Sequence, residues 1–150
     1  MKIYLGSDHG GYELKEAIKR YLLELGEEVF DKGTEDPDPL DDYPDFIAPV
    51  ARAVSAEPHG SRGIILGRSG QGEAMLANRF SNVRAAVYYG YELKVIVKSR
   101  EHNDANILSL GADYLTEEAA CEAVRLWLDT PFSQEEKRIR RVEKAEEYSR

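Results

Sequence analysis

The chain has 150 residues, 42% hydrophobic and 32% charged, with formal net charge −8 at pH 7, which suits one domain around one core. The acidic balance argues against nucleic acid or an anionic membrane as partner unless Lys and Arg gather on one face; a small anionic substrate stays open, because a few local cations can outweigh the global sign. One cysteine, Cys121, excludes a disulfide within the chain and a thiolate metal cluster.

In chain order, "KIYLGSD" from Lys2 reads as a short strand ending in a turn. Leu14, Ala17, Ile18, Tyr21, Leu22 and Leu25 then form a helical stripe that Gly26 stops. "EEVFDKGT" is a second strand, and the Pro- and Asp-rich Glu35 to Asp45 is loop. Phe46 to Ala56 has helical spacing around Val50 and Val54, with Pro49 tolerable only in a first turn. "RGIILG" is a buried-type strand, and Glu73 to Phe80 a helix. "VRAAVYY" is a fourth strand, Tyr91 to Glu101 a helix, "ANILSLG" a fifth strand, and Thr116 to Leu128 a helix with Cys121 as a small buried residue on its apolar side. Ser133 and Glu136 have capping-box spacing and predict a last, highly charged helix over about 133–148. No run of about 18 apolar residues occurs and Met1 leads straight into a strand, so neither a membrane span nor a signal peptide is expected. The protein reads as cytoplasmic.

Alternating strands and helices predict an α/β fold: a Rossmann-like αβα sandwich with a five-stranded parallel sheet and helices on both faces. No internal repeat or long linker divides residues 1–150. Ligands of such sheets bind beyond the carboxyl ends of the strands, so the residues after each strand carry the chemistry.

After the first strand come Asp8 and His9, in "GSDHGGYELK". Asp8 reads equally as a helix cap or a functional acid, and His9 could donate to an anion. Asp31 has about the spacing of a ribose-binding acid, but the turn G-S-D-H-G-G is not G-x-G-x-x-G, and no Walker loop occurs. After the third strand, "GRSGQGE" lets backbone N–H groups converge around Gly67, Gly70 and Gly72. Glu73 is either a solvated first-turn acid or an ionised base. A base beside an oxyanion nest suits proton abstraction α to a carbonyl, with an enediolate intermediate. His102 and Asn103 end the fourth helix at the amino end of the sheet, so His102 either caps that helix or completes the site of another subunit. His59 reads as an ordinary loop residue. Lys137, Arg138, Arg140 and Arg141 are four cations in five residues, a solvated face or a phosphate clamp.

Taken together, "GSDHGGYELK", "DDYPDF", "RGIILGRSGQGEAMLANR", "REHNDAN" and "RRVEKAEEY" resemble the ribose/galactose isomerase family, and within it the glutamate-base branch of the type B ribose-5-phosphate isomerases. The resemblance runs in order over nearly all of the chain. It implies metal-independent, cofactor-free interconversion of ribose 5-phosphate and ribulose 5-phosphate, in homodimers or tetramers with sites at the subunit interface. A second branch of the family uses a cysteine at the position of Gly67. By resemblance, Glu73 moves the proton between C2 and C1, and backbone around Ser69, Gly70 and Gly72 forms the anion hole. His102 assists ring opening with Asp8 near the ring oxygen, Asn103 holds sugar oxygens, and Tyr43 lies by the sugar. His9, Lys137 and Arg141 bind phosphate. Two positions depart from the pattern: Asp113 replaces an arginine after the fifth strand, and Arg68 replaces a glycine in the turn. Another phosphorylated sugar, or a non-catalytic sugar-phosphate-binding homologue, is the alternative reading.

Overall fold

The structure, a computed structural model, describes residues 1–148. Five strands, β1 (Lys2–Ser7), β2 (Glu28–Asp31), β3 (Ser61–Gly67), β4 (Ala85–Tyr88) and β5 (Ile107–Gly111), pair in parallel in the order β2-β1-β3-β5-β4. Six α-helices connect and follow them: α1 (Tyr12–Glu24), α2 (Pro44–Ala56), α3 (Gln71–Ala77), α4 (Lys94–Glu101), α5 (Glu117–Asp129) and α6 (Glu136–Glu147). The expected αβα sandwich is present.

Side-chain alternation along the strands sorts the core into two layers. Ile64 and Leu66 of β3 face α1, α4 and α5, where Ile18, Ile96 and Trp127 are buried. Ile65 faces α2, where Ile47, Val50 and Val54 pack with Ala77 of α3. With helices on both faces, β3 and β5 are buried along nearly their whole length and mostly apolar, as central parallel strands require. Among the described residues no helix is long and apolar enough to cross a membrane. Cys121 packs against the first layer but is only partly buried.

The strand order reverses between β1 and β3, which opens a crevice beyond their carboxyl ends. Register brings those ends together, with Ser7 beside Leu66 and Gly67 beside Gly111.

Several expectations need correction. Pro49 is the sixth residue of α2, not in its first turn; Pro44 takes the first position instead. Pro49 therefore leaves the Asp45 carbonyl without a helical donor. The Ser133–Glu136 capping box does not form, and α6 starts three residues after Ser133. Ser133 N–H donates to the Glu101 carbonyl, and Gln134 takes φ 59°, so the chain cannot yet be helical. Helix α3 stops at Ala77, because the Asn78 side chain turns to bond both backbone groups of Ala85 on the edge strand. Helix α4 begins at Lys94 rather than Tyr91, since Gly90 and Tyr91 both have positive φ. Asp31 is no ribose ligand: it accepts from Lys15 at 2.5 Å, Lys19 at 3.0 Å and Gly33 N–H at 2.9 Å.

Candidate active site

The turn after β3 is built by glycines with separate tasks. Gly70 sits at φ 77°, where a side chain would be strained, and starts α3. Its carbonyl accepts from the buried Ser109 hydroxyl of β5 at 2.6 Å, which ties the turn to the neighbouring strand. The first helical bond of α3 runs from Ala74 N–H to Gly70 at 3.2 Å. The Gly72 and Glu73 amides therefore have no partner within the helix.

Glu73 is not the solvated acid of the bland reading: it is 6% exposed. Its carboxylate folds back onto Gly67, so that a Cβ at position 67 would collide with Oε1. Burial pushes the Glu73 carboxyl up; its own backbone N–H holds it partly back, and the negative charge of Asp8 raises it further. The site therefore favours the protonated form of Glu73 more than water does. A base of raised proton affinity accepts protons more readily, provided the pH keeps it ionised. The cysteine implied at position 67 in the other branch would fill the same space as this carboxylate, so the two side chains exclude each other.

Asp8 is a cap whose charge also reaches Glu73. Its side chain accepts from Gly10 N–H at 3.0 Å, capping the 3-10 turn His9–Gly11, and its charge acts on Glu73. Tyr43 comes from the start of α2, and its phenol lies over Gly72: a Cβ there would meet the Tyr43 hydroxyl at 2.9 Å. Ser69 Oγ accepts from Gln71 N–H at 3.3 Å. His9 holds Asp41 twice, through its backbone N–H at 3.2 Å and through Nδ1 at 2.5 Å. In the sequence Asp41 is one more acid of the Pro- and Asp-rich loop. Its signal was the run Asp41-Asp42 directly before Tyr43, but nothing in that run names His9 as partner. Asp8, His9 and Asp41 present ligand-type atoms within 4.8 Å of one another; the His9–Asp41 hydrogen bonds account for that closeness.

The remaining predicted residues lie at the other end of the sheet, as the topology implies. His102 follows α4, and its N–H bonds the Lys98 carbonyl. Asn103 and Arg141 line a groove of about 390 Å³ with Asn78 and Arg84. Lys137 is exposed, 3.2 Å from Glu135. Six steps along β3 separate the two ends, roughly 20 Å at strand rise. Within one chain the structure therefore joins Asp8, His9, Tyr43, Ser69, Gly70, Gly72 and Glu73, and leaves His102, Asn103, Lys137 and Arg141 apart.

Substituting Gly67→Ala should evict the carboxylate while sparing the fold, since the far end of a side chain, not backbone, is what yields. The expected result is a loss of up to about a hundredfold in turnover, the scale of a base displaced by an ångström, with little change in melting temperature. Unchanged turnover would mean that the carboxylate position seen here is not the working one.

A buried carboxylate beside the first-turn amides of a helix, in a crevice at a strand-order reversal, can move a proton next to a carbonyl. Comparison with known proteins points the same way. The family described as Ribose/Galactose Isomerase matches residues 3–145. A ribose-5-phosphate isomerase B from Mycobacterium tuberculosis is 38% identical over 150 residues, covering 100% of this chain and 91% of its own. The structure of the Clostridium thermocellum ribose-5-phosphate isomerase B is 41% identical, with TM-score 0.90, covering 98% and 96% of the two chains. The Mycoplasma genitalium enzyme, solved with bound ribulose-5-phosphate, is 32% identical, with TM-score 0.93, over 98% and 95%.

Proposed function

The chain belongs to the ribose/galactose isomerase family, and we propose that it interconverts ribose 5-phosphate and ribulose 5-phosphate with Glu73 as the base. It is a sugar-phosphate isomerase. The observation that carries the role of Glu73 is its buried carboxylate resting on Gly67 at the start of α3.

In the open-chain aldose, Glu73 removes the C2 proton. The electrons of the C2–H bond form a C1–C2 double bond, and the carbonyl oxygen on C1 becomes the oxyanion. Amides around Ser69, Gly70 and Gly72 hold that charge. Glu73 then returns the proton to C1, the carbonyl re-forms at C2, and the hydroxyl proton of C2 ends on the oxygen of C1. Asp8 stands near the ring oxygen before opening, and Tyr43 walls the sugar. His102, Asn103, Lys137 and Arg141 lie at the opposite end of the sheet, so they serve the site of a second subunit. His102 assists ring opening, Asn103 holds sugar oxygens, and Lys137 and Arg141 join His9 on the phosphate. This makes the working unit a homodimer, or a tetramer of paired dimers, in the cytoplasm.

Turnover of ribose 5-phosphate in deuterium oxide tests the chemistry. Ribulose 5-phosphate should form carrying deuterium at C1, because the abstracted proton exchanges while it sits on Glu73. Complete transfer of the C2 hydrogen to C1 would mean either a direct shift or a proton that Glu73 holds away from water, and only the direct shift would survive Glu73→Gln. Binding without turnover would mark a non-catalytic homologue.

A further inference from the structure

The proposed substrate ends in a phosphate dianion, yet the carboxyl end of the sheet is acidic. Asp8, Asp41, Glu73 and Asp113 all stand there. In the segments that leave β1, β3 and β5, only one guanidinium or ammonium occurs, that of Arg68.

Arg68 is held in place by its backbone and left free at its tip. Its carbonyl accepts from Asp113 N–H at 3.0 Å, which joins the turn after β3 to the turn after β5. Its side-chain stem crosses the 3-10 turn after β1, where a Cβ at Gly10 would meet Arg68 Cγ at 2.9 Å. The guanidinium Nη1 then stops 3.7 Å from Asp113 Oδ1, with the two side chains 67% and 49% exposed. That distance exceeds a hydrogen bond, and a solvated pair of this kind holds its members weakly. Among the described residues the Arg68 guanidinium makes no hydrogen bond, so its donors remain available.

Its backbone adjoins the proton-transfer point. Arg68 follows Gly67, the residue on which the Glu73 carboxylate rests, and neighbouring Cα atoms are about 3.8 Å apart. The side chain itself leaves over Gly10 of the turn after β1 and ends beside Asp113 of the turn after β5, so its guanidinium stands where the three turns meet.

Resting on the isomerase reading of this site, we infer that Arg68 binds the terminal phosphate of the substrate, and that Asp113 parks the guanidinium at the rim until the phosphate takes its place. A phosphate offers two negative charges and a matching edge for a bidentate fork, against one charge at a longer range from Asp113. The two departures from the family pattern are therefore one device. Arg68 brings a cation from β3, and the charge of Asp113, which alone would repel phosphate, is directed to that cation.

The test is calorimetric titration of ribose 5-phosphate into Glu73→Gln protein, with and without Arg68→Ala. Removing the guanidinium should weaken binding about tenfold, the scale of a charge-assisted contact at a partly solvated rim. Inorganic phosphate should lose affinity by the same factor. Adding Asp113→Arg to the Arg68→Ala protein should regain most of the loss, since the new cation reaches the same space from β5. Arg68 is exposed, so the fold does not depend on it. Equal affinities with and without Arg68 would overturn the assignment. A loss for the sugar phosphate but not for inorganic phosphate would place Arg68 on the sugar instead. Failure of the Asp113→Arg exchange would show that the phosphate does not lie between the two turns. Because binding is read and not turnover, a protein that binds ribose 5-phosphate without isomerising it would end the case for Glu73 and leave that for Arg68 intact.

Discussion

Glu73→Gln protein should lose at least about a hundredfold in kcat on ribose 5-phosphate, the usual scale for a lost general base, while KM stays within a few-fold. The amide has nearly the same shape and fits the same space against Gly67, so geometry survives and proton transfer does not. A pH signature should go with the loss. Burial, with the charge of Asp8 adding to it, raises the Glu73 carboxyl above its ordinary value near 4.5. Wild-type kcat/KM should therefore climb as pH rises through that raised value, as the base ionises. The residual activity of the variant should lack this limb. Equal rates for the two proteins would remove Glu73 from the chemistry. Mixing with His102→Ala protein adds a test of assembly. If each site combines Glu73 of one subunit with His102 of another, random reassortment in a two-fold dimer restores roughly a quarter of wild-type activity. No recovery would take His102 out of the site.

Asp31→Ala should be the most destabilising single change considered, by about 3 kcal/mol or more in urea unfolding. Lys15 is fully buried on α1, and Asp31 Oδ2 lies 2.5 Å from its ammonium. Removing the carboxylate strands a buried charge, which is far costlier than never having built the pair. Glu16, 2.7 Å from Lys15 and partly exposed, softens the loss without replacing a buried partner. Lys15→Met combined with Asp31→Asn should recover much of the stability, because the charge leaves with its partner and Gly33 N–H keeps an acceptor. Burial alone would raise the Asp31 carboxyl, but Lys15, the Gly33 amide and Lys19 together hold it below its ordinary value near 3.8. The carboxylate therefore contributes stability above that value, and the contribution disappears as pH falls through the lowered folded one. Wild type should weaken through that acid window, and Asp31→Ala should show a flatter acid limb. A loss under about 1 kcal/mol for Asp31→Ala would mean that water or Glu16 already satisfies Lys15.

Features governed by local period were legible in the sequence. The apolar run of β3, the glycine turn and Glu73 just beyond it follow from a buried strand meeting a helix start. The opposite placement of His102 followed from counting strands in a parallel sheet. What stayed hidden depends on partners far along the chain. Lys15 breaks the apolar stripe of α1, yet it is as buried as Ile18, because Asp31 sixteen residues later neutralises it. Asp41 looked like solvent-facing loop until His9, thirty-two residues away, claimed it. Ser133 had the composition of a cap, but its amide was already committed to Glu101. Residue type supplies the capacity for each bond, and only the assembled chain decides which capacity is used.

The contact between Gly67 and the Glu73 carboxylate limits how this enzyme can change over generations. If Glu73 is the base, as proposed, a lineage holding it cannot acquire a side chain at position 67 first, since the newcomer displaces that carboxylate. Nor can it drop the glutamate first, since nothing yet replaces it. Passage between the two kinds of base needs both codons to change together, or an intermediate that tolerates near-inactivity. The branches should thus be separated by a fitness valley, and a laboratory conversion should succeed only as a paired exchange.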